Sequence, residues 1–128
     1  RDCCTFAGSL PYCAMANAFR AADVFVLPSV PTPTWQEQFG MSLMEAMACQ
    51  TAVISTYSGA IPEIAGDTAL LCPPADAQAL AGALRSLVNR PEQARELGAA
   101  ACERARALFD IHRFARDLDA VYGTIRRS

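Results

Sequence analysis

Residues 40–56 read GMSLMEAMACQTAVIST and join two patterns that together decide the fold. Residues 40–49 are apolar on nearly every face of a helix, which is typical of a helix packed between other elements. Residues 52–56, AVIST, are short and rich in β-branched side chains, as expected for a strand covered on both faces. A buried helix that leads directly into a buried strand predicts a parallel sheet flanked by helices.

The flanking sequence continues this alternation of helices and strands. Residues 24–28 (VFVLP) and 69–74 (ALLCPP) are two further strand-like runs, and residues 12–22 are predicted to be helical. Between them, the proline-rich residues 28–38 form the one long irregular connection, at the carboxyl end of a strand. Ligands bind at this edge in open α/β sheets, so this loop is expected to surround the site together with residues 58–61 and 73–74.

The chain after Pro74 has only helical patterns, which predict three helices. Asp76 is a candidate N-cap for the first, Pro91 suits the first position of the second, and Asp110 is a candidate cap for the third. The apolar positions of these helices are Leu80, Ala83, Leu84, Leu87 and Val88 in the first, Ala94, Leu97, Ala101, Ala105 and Leu108, facing inward, in the second, and Phe114, Leu118, Val121, Tyr122 and Ile125 in the third.

Composition limits the classes of function. The 128 residues, 52% of them hydrophobic, suit one domain, and a net charge of −2 argues against a nucleic-acid partner. The six cysteines show no CxxC spacing and no signal peptide is visible, so we expect reduced thiols in a cytoplasmic protein without a metal site. Residues 76–128 hold nine Arg against seven acids. A solvated helix surface is the favoured explanation, with a weak peripheral contact to an anionic membrane as the alternative.

Two glutamates flank the start of the helix at residues 40–49. Glu45 lies within its apolar run, and an unpaired buried carboxylate is costly, so Glu45 must have a partner or face an opening. One interpretation is a capping box, because residues 42–45 match S-x-x-E. The other starts the helix at Gly40, whose missing Cβ would leave the backbone N–H groups and the positive dipole end open to an anion.

The second interpretation gives the site a recognisable shape. Glu45 would lie about 7 Å along the helix from Gly40, and Glu37 on the other side of the same helix end. Carboxylates accept hydrogen bonds from vicinal hydroxyls, while backbone N–H groups bind phosphate. A ligand with a central diphosphate and hydroxyls at both ends, such as a nucleotide sugar, fits this arrangement.

The blocks ADVFVLPS, EQFGMSLMEAMACQTAVIST and SGAIPEIAGDTALLCPPAD occur in this order, followed by ALAGAL. Over about two thirds of the chain, they resemble the C-terminal domain of GT-B retaining glycosyltransferases of the large family-four group. Glu37 and Glu45 reproduce the family's E-x7-E motif, in register with Phe39 and Gly40. The resemblance implies a partial Rossmann-like domain over residues 1–128, with residues 76–128 as its C-terminal helical part.

The resemblance also implies roles for individual residues. Glu45 would bind the ribose hydroxyls of the donor, and Glu37, the catalytic candidate, would contact the transferred sugar. The backbone around Phe39, Gly40 and Met41 would meet the sugar and the diphosphate. Transfer would retain the anomeric configuration without a metal or other cofactor, and the leaving phosphate would be stabilised electrostatically.

Two of the chain's departures from the family pattern bear on the fold and on activity. Gln50 stands where a glycine usually ends the helix in left-handed geometry, which would cost up to about 1 kcal/mol or alter the turn. The chain also lacks the N-terminal acceptor domain of the two-domain fold, so we expect a fragment that is inactive alone. A non-catalytic nucleotide-binding or partner-binding regulatory domain is the alternative function.

Several other residues have weaker signals. Trp35 either stacks on a base or sugar or packs the proline loop down. Glu63 is expected to brace a short turn, and His112 to lie at the surface or cap a helix. Asp117 and Asp119 resemble a D-x-D metal motif, but residues two apart on a helix point to different sides.

Overall fold

The computed structural model describes residues 3–125 and contains a parallel sheet of three strands in the order β1-β2-β3. The central strand β2 pairs with β1 from Val24↔Ala52 onward and with β3 from Ile54↔Leu70 onward. All five residues of β2 are buried, which confirms the prediction of a strand covered on both faces. The strands are β1 (Val24–Leu27), β2 (Ala52–Thr56) and β3 (Leu70–Cys72).

Helices cover both faces of the sheet and account for the rest of the regular structure in the described residues. The predicted helices are all present, and a five-residue helix is added where the sequence indicated only a turn. The helices are α1 (Tyr12–Ala21), α2 (Met41–Ala48), α3 (Ile61–Ala65), α4 (Ala77–Val88), α5 (Pro91–Phe109) and α6 (Ile111–Ile125).

Alternate residues of β2 point into two cores, one on each face of the sheet. Val53 packs in the core that contains Leu43 and Met47 of α2, while Ile54 packs in the core that contains Leu87 of α4. In α2 only Leu43, Ala46 and Met47 are fully buried. The helix is therefore covered on one side and open on the other, not buried all round as its composition suggests.

The turn after α2 has left-handed geometry although its residue is glutamine and not glycine. Gln50 has φ 64°, its N–H donates to the Met47 carbonyl, and the Thr51 N–H donates to the Ala46 carbonyl. This bonding is a Schellman motif. Helix α5 packs so closely on this turn that a Cβ at Gly98 would lie 2.3 Å from the Gln50 carbonyl oxygen.

The predicted starts of α4, α5 and α6 are confirmed. The Asp76 carboxylate accepts hydrogen bonds from the N–H groups of Gln78 and Ala79, and Pro91 occupies the first turn of α5. At the start of α6, the Asp110 carboxylate accepts a hydrogen bond from the Arg113 N–H at 2.9 Å.

The apolar side chains near the C-terminus are more exposed than their pattern indicates. None of residues 111–125 is buried, although α6 carries a continuous apolar face. Val88 and Leu108 are also exposed, so the inward position predicted for Leu108 is wrong. Arg126 and Arg127, which contribute to the basic count, lie outside the described residues.

The cysteines of the described residues are all unpaired. Cys72 and Cys102 are buried and Cys49 is half-buried, in keeping with a role as small apolar side chains. Burial raises the pKa of the Cys72 thiol, and the nearby Asp76 carboxylate adds to this effect. Across residues 3–125, no helix has the length and apolar character needed to cross a membrane.

Candidate functional site

The N-terminus of α2 lies at the edge of the sheet where β1 ends. Gly40 is the N-cap and provides no side-chain hydrogen bond, and the Met44 N–H makes the first helical bond, to the Gly40 carbonyl at 3.0 Å. The N–H groups of Met41, Ser42 and Leu43 therefore lack intrahelical partners. Because Ser42 is the second residue of the helix, the capping-box interpretation is ruled out.

Gly40 is required here by its backbone conformation. It has φ 73° and ψ 56°, in the left-handed region that L side chains rarely adopt. A Cβ at this position would lie 3.5 Å from the Leu43 Cβ and 3.7 Å from the Glu37 Cγ, which are ordinary contacts. The left-handed turn, rather than a lack of space within the protein, explains the glycine at this helix start.

Glu37 is fixed at this helix end by two hydrogen bonds. Its Oε1 accepts from the Gly40 N–H at 3.0 Å, and its backbone carbonyl accepts from the Ala60 N–H at 3.0 Å. The side chain is half-buried, and Oε2 has no hydrogen-bond partner among residues 3–125. The structure thus orients one carboxylate oxygen and leaves the other available.

The loop after β2 holds Glu37 from the opposite side. Gly59 has φ 53°, and a Cβ there would lie only 1.8 Å from the Glu37 carbonyl oxygen. The hydroxyl of the neighbouring Ser58 is buried and has no hydrogen-bond partner in the described part of the chain. The sequence placed residues 58–61 near the site but did not reveal this close contact, for which a glycine three residues after the end of β2 is the only signal.

Glu45 has a hydrogen-bond partner and is also partly exposed, as expected for a carboxylate in an apolar helix. It is half-buried, and its Oε1 accepts a hydrogen bond from the Tyr12 hydroxyl at 2.9 Å. That hydrogen bond, together with the negative charge of Glu45, raises the pKa of Tyr12. Sequence reasoning missed Tyr12, because nothing local connects two residues that are 33 positions apart.

Phe39 and Met41 complete the predicted set. Phe39 is partly exposed and packs edge-to-face on Phe109, with the ring centroids 5.5 Å apart. Met41, the first residue of α2, is exposed. The structure therefore places Glu37, Phe39, Gly40 and Met41 at the start of α2, and Glu45 about 7 Å further along the same helix at 1.5 Å per residue.

Three of the weaker candidates, Glu63, Asp117 and His112, make no side-chain hydrogen bond or ion pair with this helix end within residues 3–125. The Glu63 side chain is exposed in the first turn of α3, and the Glu63 carbonyl accepts a hydrogen bond from Arg104. Asp117 forms an ion pair with Arg113 at 3.6 Å, and His112 is exposed. Within the described residues, no group of three or more His, Cys, Asp or Glu side chains is placed to hold a metal ion.

Comparisons with known proteins identify the class of protein to which this chain belongs. The family model described as "Glycosyl transferases group 1" matches residues 1–104. The chain belongs to the group 1 glycosyltransferase family. This membership confirms the resemblance seen in the sequence blocks, and the fold class predicted from it.

Individual relatives agree with this assignment. The chain is 39% identical over 88% of its length to the alpha-maltose-1-phosphate synthase of Mycolicibacterium smegmatis. Among solved structures, it is similar to the sucrose-phosphate synthase of Thermosynechococcus elongatus over 96% of the chain, with a TM-score of 0.84 and 35% identity. It also matches the C-terminal domain of a Francisella tularensis group 1 glycosyltransferase over 83% of the chain, with a TM-score of 0.70 and 26% identity.

These relatives are considerably longer than the chain. The chain spans 30% of the maltose-1-phosphate synthase and 30% of the sucrose-phosphate synthase. It spans 53% of the isolated Francisella C-terminal domain. The matched part of each of the two synthases is thus less than one third of its length.

Proposed function

We propose that this chain binds the nucleotide-sugar donor of a retaining glycosyltransferase. In this proposal the diphosphate lies on the N–H groups of Met41, Ser42 and Leu43, Glu45 binds the ribose hydroxyls, and Glu37 contacts the transferred sugar. Family membership supports the transfer of a sugar, and the geometry of the α2 N-terminus supports the choice of donor.

The open N-terminus of α2, with a carboxylate on either side, is the observation that carries the proposal. Unpaired N–H groups and the positive end of the helix dipole favour phosphate. Glu37 and Glu45 are both half-buried, so their hydrogen bonds to hydroxyls would be shielded in part from water. Two carboxylates would repel a diphosphate if they lay beside it, whereas they suit hydroxyls placed at its two ends.

The same helix end would support the chemistry of transfer. When the bond between the sugar and the diphosphate breaks, negative charge grows on the leaving phosphate, where the α2 N–H groups are already oriented. No metal ion is required for this step in the proposal. Glu37 is oriented by the Gly40 N–H, so its Oε2 would face the sugar at the reacting end.

We further propose that full activity requires a second domain. The glycosyltransferase fold that this chain resembles places the acceptor mainly on an N-terminal domain, and the longer relatives provide room for one. The chain alone would then bind the donor without transferring its sugar. The exposed apolar face of α6 also favours a second candidate function, a non-catalytic domain that binds a partner.

Isothermal titration calorimetry tests the proposal. The ligands are UDP, GDP and ADP and the corresponding nucleotide sugars. We expect one of these nucleotides to bind, and Glu45→Ala to weaken that binding about 10- to 100-fold, since hydrogen bonds to a charged group contribute about 1.5–3 kcal/mol. Asp76→Ala is the matched control, because it removes a carboxylate from another helix start at the same sheet edge and leaves α2 intact.

Each candidate function has a distinct result. Binding that is weakened by Glu45→Ala and not by Asp76→Ala supports the donor site. If none of the nucleotides binds, either to the chain or to a version that includes a second α/β domain, the donor proposal fails. The partner-binding alternative would then be preferred.

A further inference from the structure

A cavity of about 600 Å³, open to solvent, lies beside Glu37 and is lined by the proline-rich loop and Ala60. This volume is within the range of small-molecule sites, about 300–1,000 Å³. Its lining includes the Trp35 side chain, which is half exposed, and the polar residues Thr34, Gln36 and Gln38. An aromatic ring surrounded by amide and hydroxyl groups is well suited to a polyhydroxylated ligand, since one face of a sugar ring is apolar and its edge is polar.

The loop that forms this cavity is held at both ends. Near its start, the Thr32 N–H donates to the Trp35 carbonyl at 2.7 Å, and the Trp35 N–H donates to the Thr32 hydroxyl at 3.1 Å. At its end, the hydrogen bonds of Glu37 to Gly40 and Ala60 fix the chain. The cavity is therefore already formed, which lowers the entropy lost when a ligand binds.

The position of the cavity indicates what it would hold. Glu37 lines it, whereas Gly40, Met41 and Glu45 do not. Along the proposed donor, the order is ribose at Glu45, diphosphate at Gly40 and transferred sugar at Glu37. A second ligand in this cavity would lie beside Glu37 and so next to the transferred sugar, where the reacting end of the acceptor must lie even if an N-terminal domain holds most of it.

We infer that this cavity, which we call the Trp35 cavity, binds a sugar unit of a carbohydrate acceptor, with the ring stacked on the indole of Trp35. Gln36 and Gln38 have amide groups that both donate and accept hydrogen bonds, so they suit hydroxyls that do the same. The assignment to the acceptor rests on the proposed donor function. The assignment to a sugar rests on the cavity itself.

Fluorescence provides a direct test, because Trp35 is the only tryptophan among the 128 residues. The chain is titrated with methyl α-glucoside, methyl α-mannoside, maltose and sucrose. We expect at least one of these sugars to change the Trp35 emission saturably, with a millimolar Kd, and to protect Trp35 from acrylamide quenching.

Two variants that keep the probe test the hydrogen bonds. Gln36→Ala and Gln38→Ala are each expected to raise the sugar Kd about threefold to tenfold. Gln78→Ala, which removes an exposed glutamine from α4, is the matched control and should leave this Kd unchanged. Circular dichroism confirms that each variant is folded. Saturation-transfer NMR on the sugar gives a second readout, in which Trp35→Ala should lose the signal and Trp35→Phe should keep part of it.

Three results would overturn the inference. In the first, none of the four sugars affects Trp35, so the side chain only packs the loop. In the second, nucleoside diphosphates change the emission and sugars do not, so the indole stacks on the base. In the third, UDP-glucose, GDP-mannose or ADP-glucose competes with the simple sugar, so the cavity holds the donor's own sugar.

The two proposals fail separately. If a sugar changes the Trp35 emission but no nucleotide binds in calorimetry, the donor function is wrong and the cavity is retained as a carbohydrate site. If a nucleotide binds in a manner that depends on Glu45 and no sugar affects Trp35, the donor function is retained and the inference fails.

Discussion

Two helices start at the same edge of the sheet in opposite ways. At α4 the N-cap is Asp76, whose carboxylate accepts hydrogen bonds from the N–H groups of Gln78 and Ala79 at 3.0 and 2.9 Å. At α2 the N-cap is Gly40, which has no side chain to do this. A capping carboxylate in place of alanine stabilises a helix by about 1 kcal/mol. The chain uses this stabilisation at α4 and omits it at α2.

The comparison shows which helix start has its backbone donors paired and which has them unpaired. Proteins often give up local stability at functional sites. At α2 the carboxylate of Glu37 bonds only to the Gly40 N–H, and the next three N–H groups stay open at the helix end. Capped N–H groups at the start of α4 and uncapped N–H groups at the start of α2 are expected if α4 is purely structural and α2 binds an anion. The following predictions test this contrast.

The largest effect is expected for Gly59→Ala. The added Cβ would lie 1.8 Å from the Glu37 carbonyl oxygen, and φ would remain 53°, so the loop or Glu37 must move. We expect a loss of about 3 kcal/mol in the free energy of unfolding, measured in urea, since overpacking alone costs about 1–3 kcal/mol. Gly82→Ala is the control, because it meets nothing within 4 Å in α4 and should gain up to about 1 kcal/mol.

Gly40→Ala is expected to have the next largest effect on stability. The left-handed conformation costs an L-residue about 1–2 kcal/mol, whereas the surrounding contacts are ordinary. Gly40→Asn should lose less than Gly40→Ala, because asparagine tolerates this conformation better. Urea unfolding measures both variants. Equal losses would show that space, rather than φ, makes glycine necessary here.

The Asp76→Ala variant tests whether the start of α4 contributes to nucleotide binding or only to stability. We expect the free energy of unfolding to fall by about 1 kcal/mol, because two N–H groups of α4 lose their capping partner. The nucleotide Kd measured by calorimetry should stay within twofold of that of the unmodified chain. A large rise in this Kd would mean that α4, and not only α2, contributes to the donor site.

The smallest effect concerns the pH dependence of the contact between Tyr12 and Glu45. The pKa of Tyr12 is raised in the folded chain by its hydrogen bond to Glu45 and by the charge of Glu45. The stability from this contact is therefore fully present below the unfolded tyrosine pKa of about 10, and is lost as pH rises through the higher folded value. NMR titration of the Tyr12 ring should give a lower pKa in Glu45→Gln, and an unchanged pKa would contradict the assigned cause.

Much of the fold could be predicted from local patterns. The bounds of β2 match the run at residues 52–56, and the N-cap of α2 is Gly40, where one of two interpretations placed it. The sequence placed the helix start at Gly40 because of its missing Cβ, and the structure adds that Gly40 is in the left-handed region, with φ 73°. The left-handed turn at Gln50 also follows its predicted place, although only the structure shows that glutamine accepts it.

The features that the sequence did not predict depend on contacts between residues that are far apart in the chain. Nothing in the sequence relates Tyr12 to Glu45, or Gly59 to the Glu37 carbonyl, because folding alone brings them together. An amphipathic pattern also predicts an apolar face without saying what covers it. This explains why Leu108 is exposed, contrary to prediction, and why the apolar face of α6 has no buried residue. Helix α3 is too short for a periodic pattern to reveal it.

The most direct test of the account is the response of individual backbone amides to a bound nucleoside diphosphate. In ¹⁵N-resolved NMR spectra, the amide signals of Met41, Ser42 and Leu43 should shift as the nucleotide is added. Those of Gln78 and Ala79, which are already bonded to Asp76, should not shift. Unchanged signals at α2, or equal shifts at both helix starts, would contradict the claim that the chain leaves the α2 N-terminus open for a phosphate.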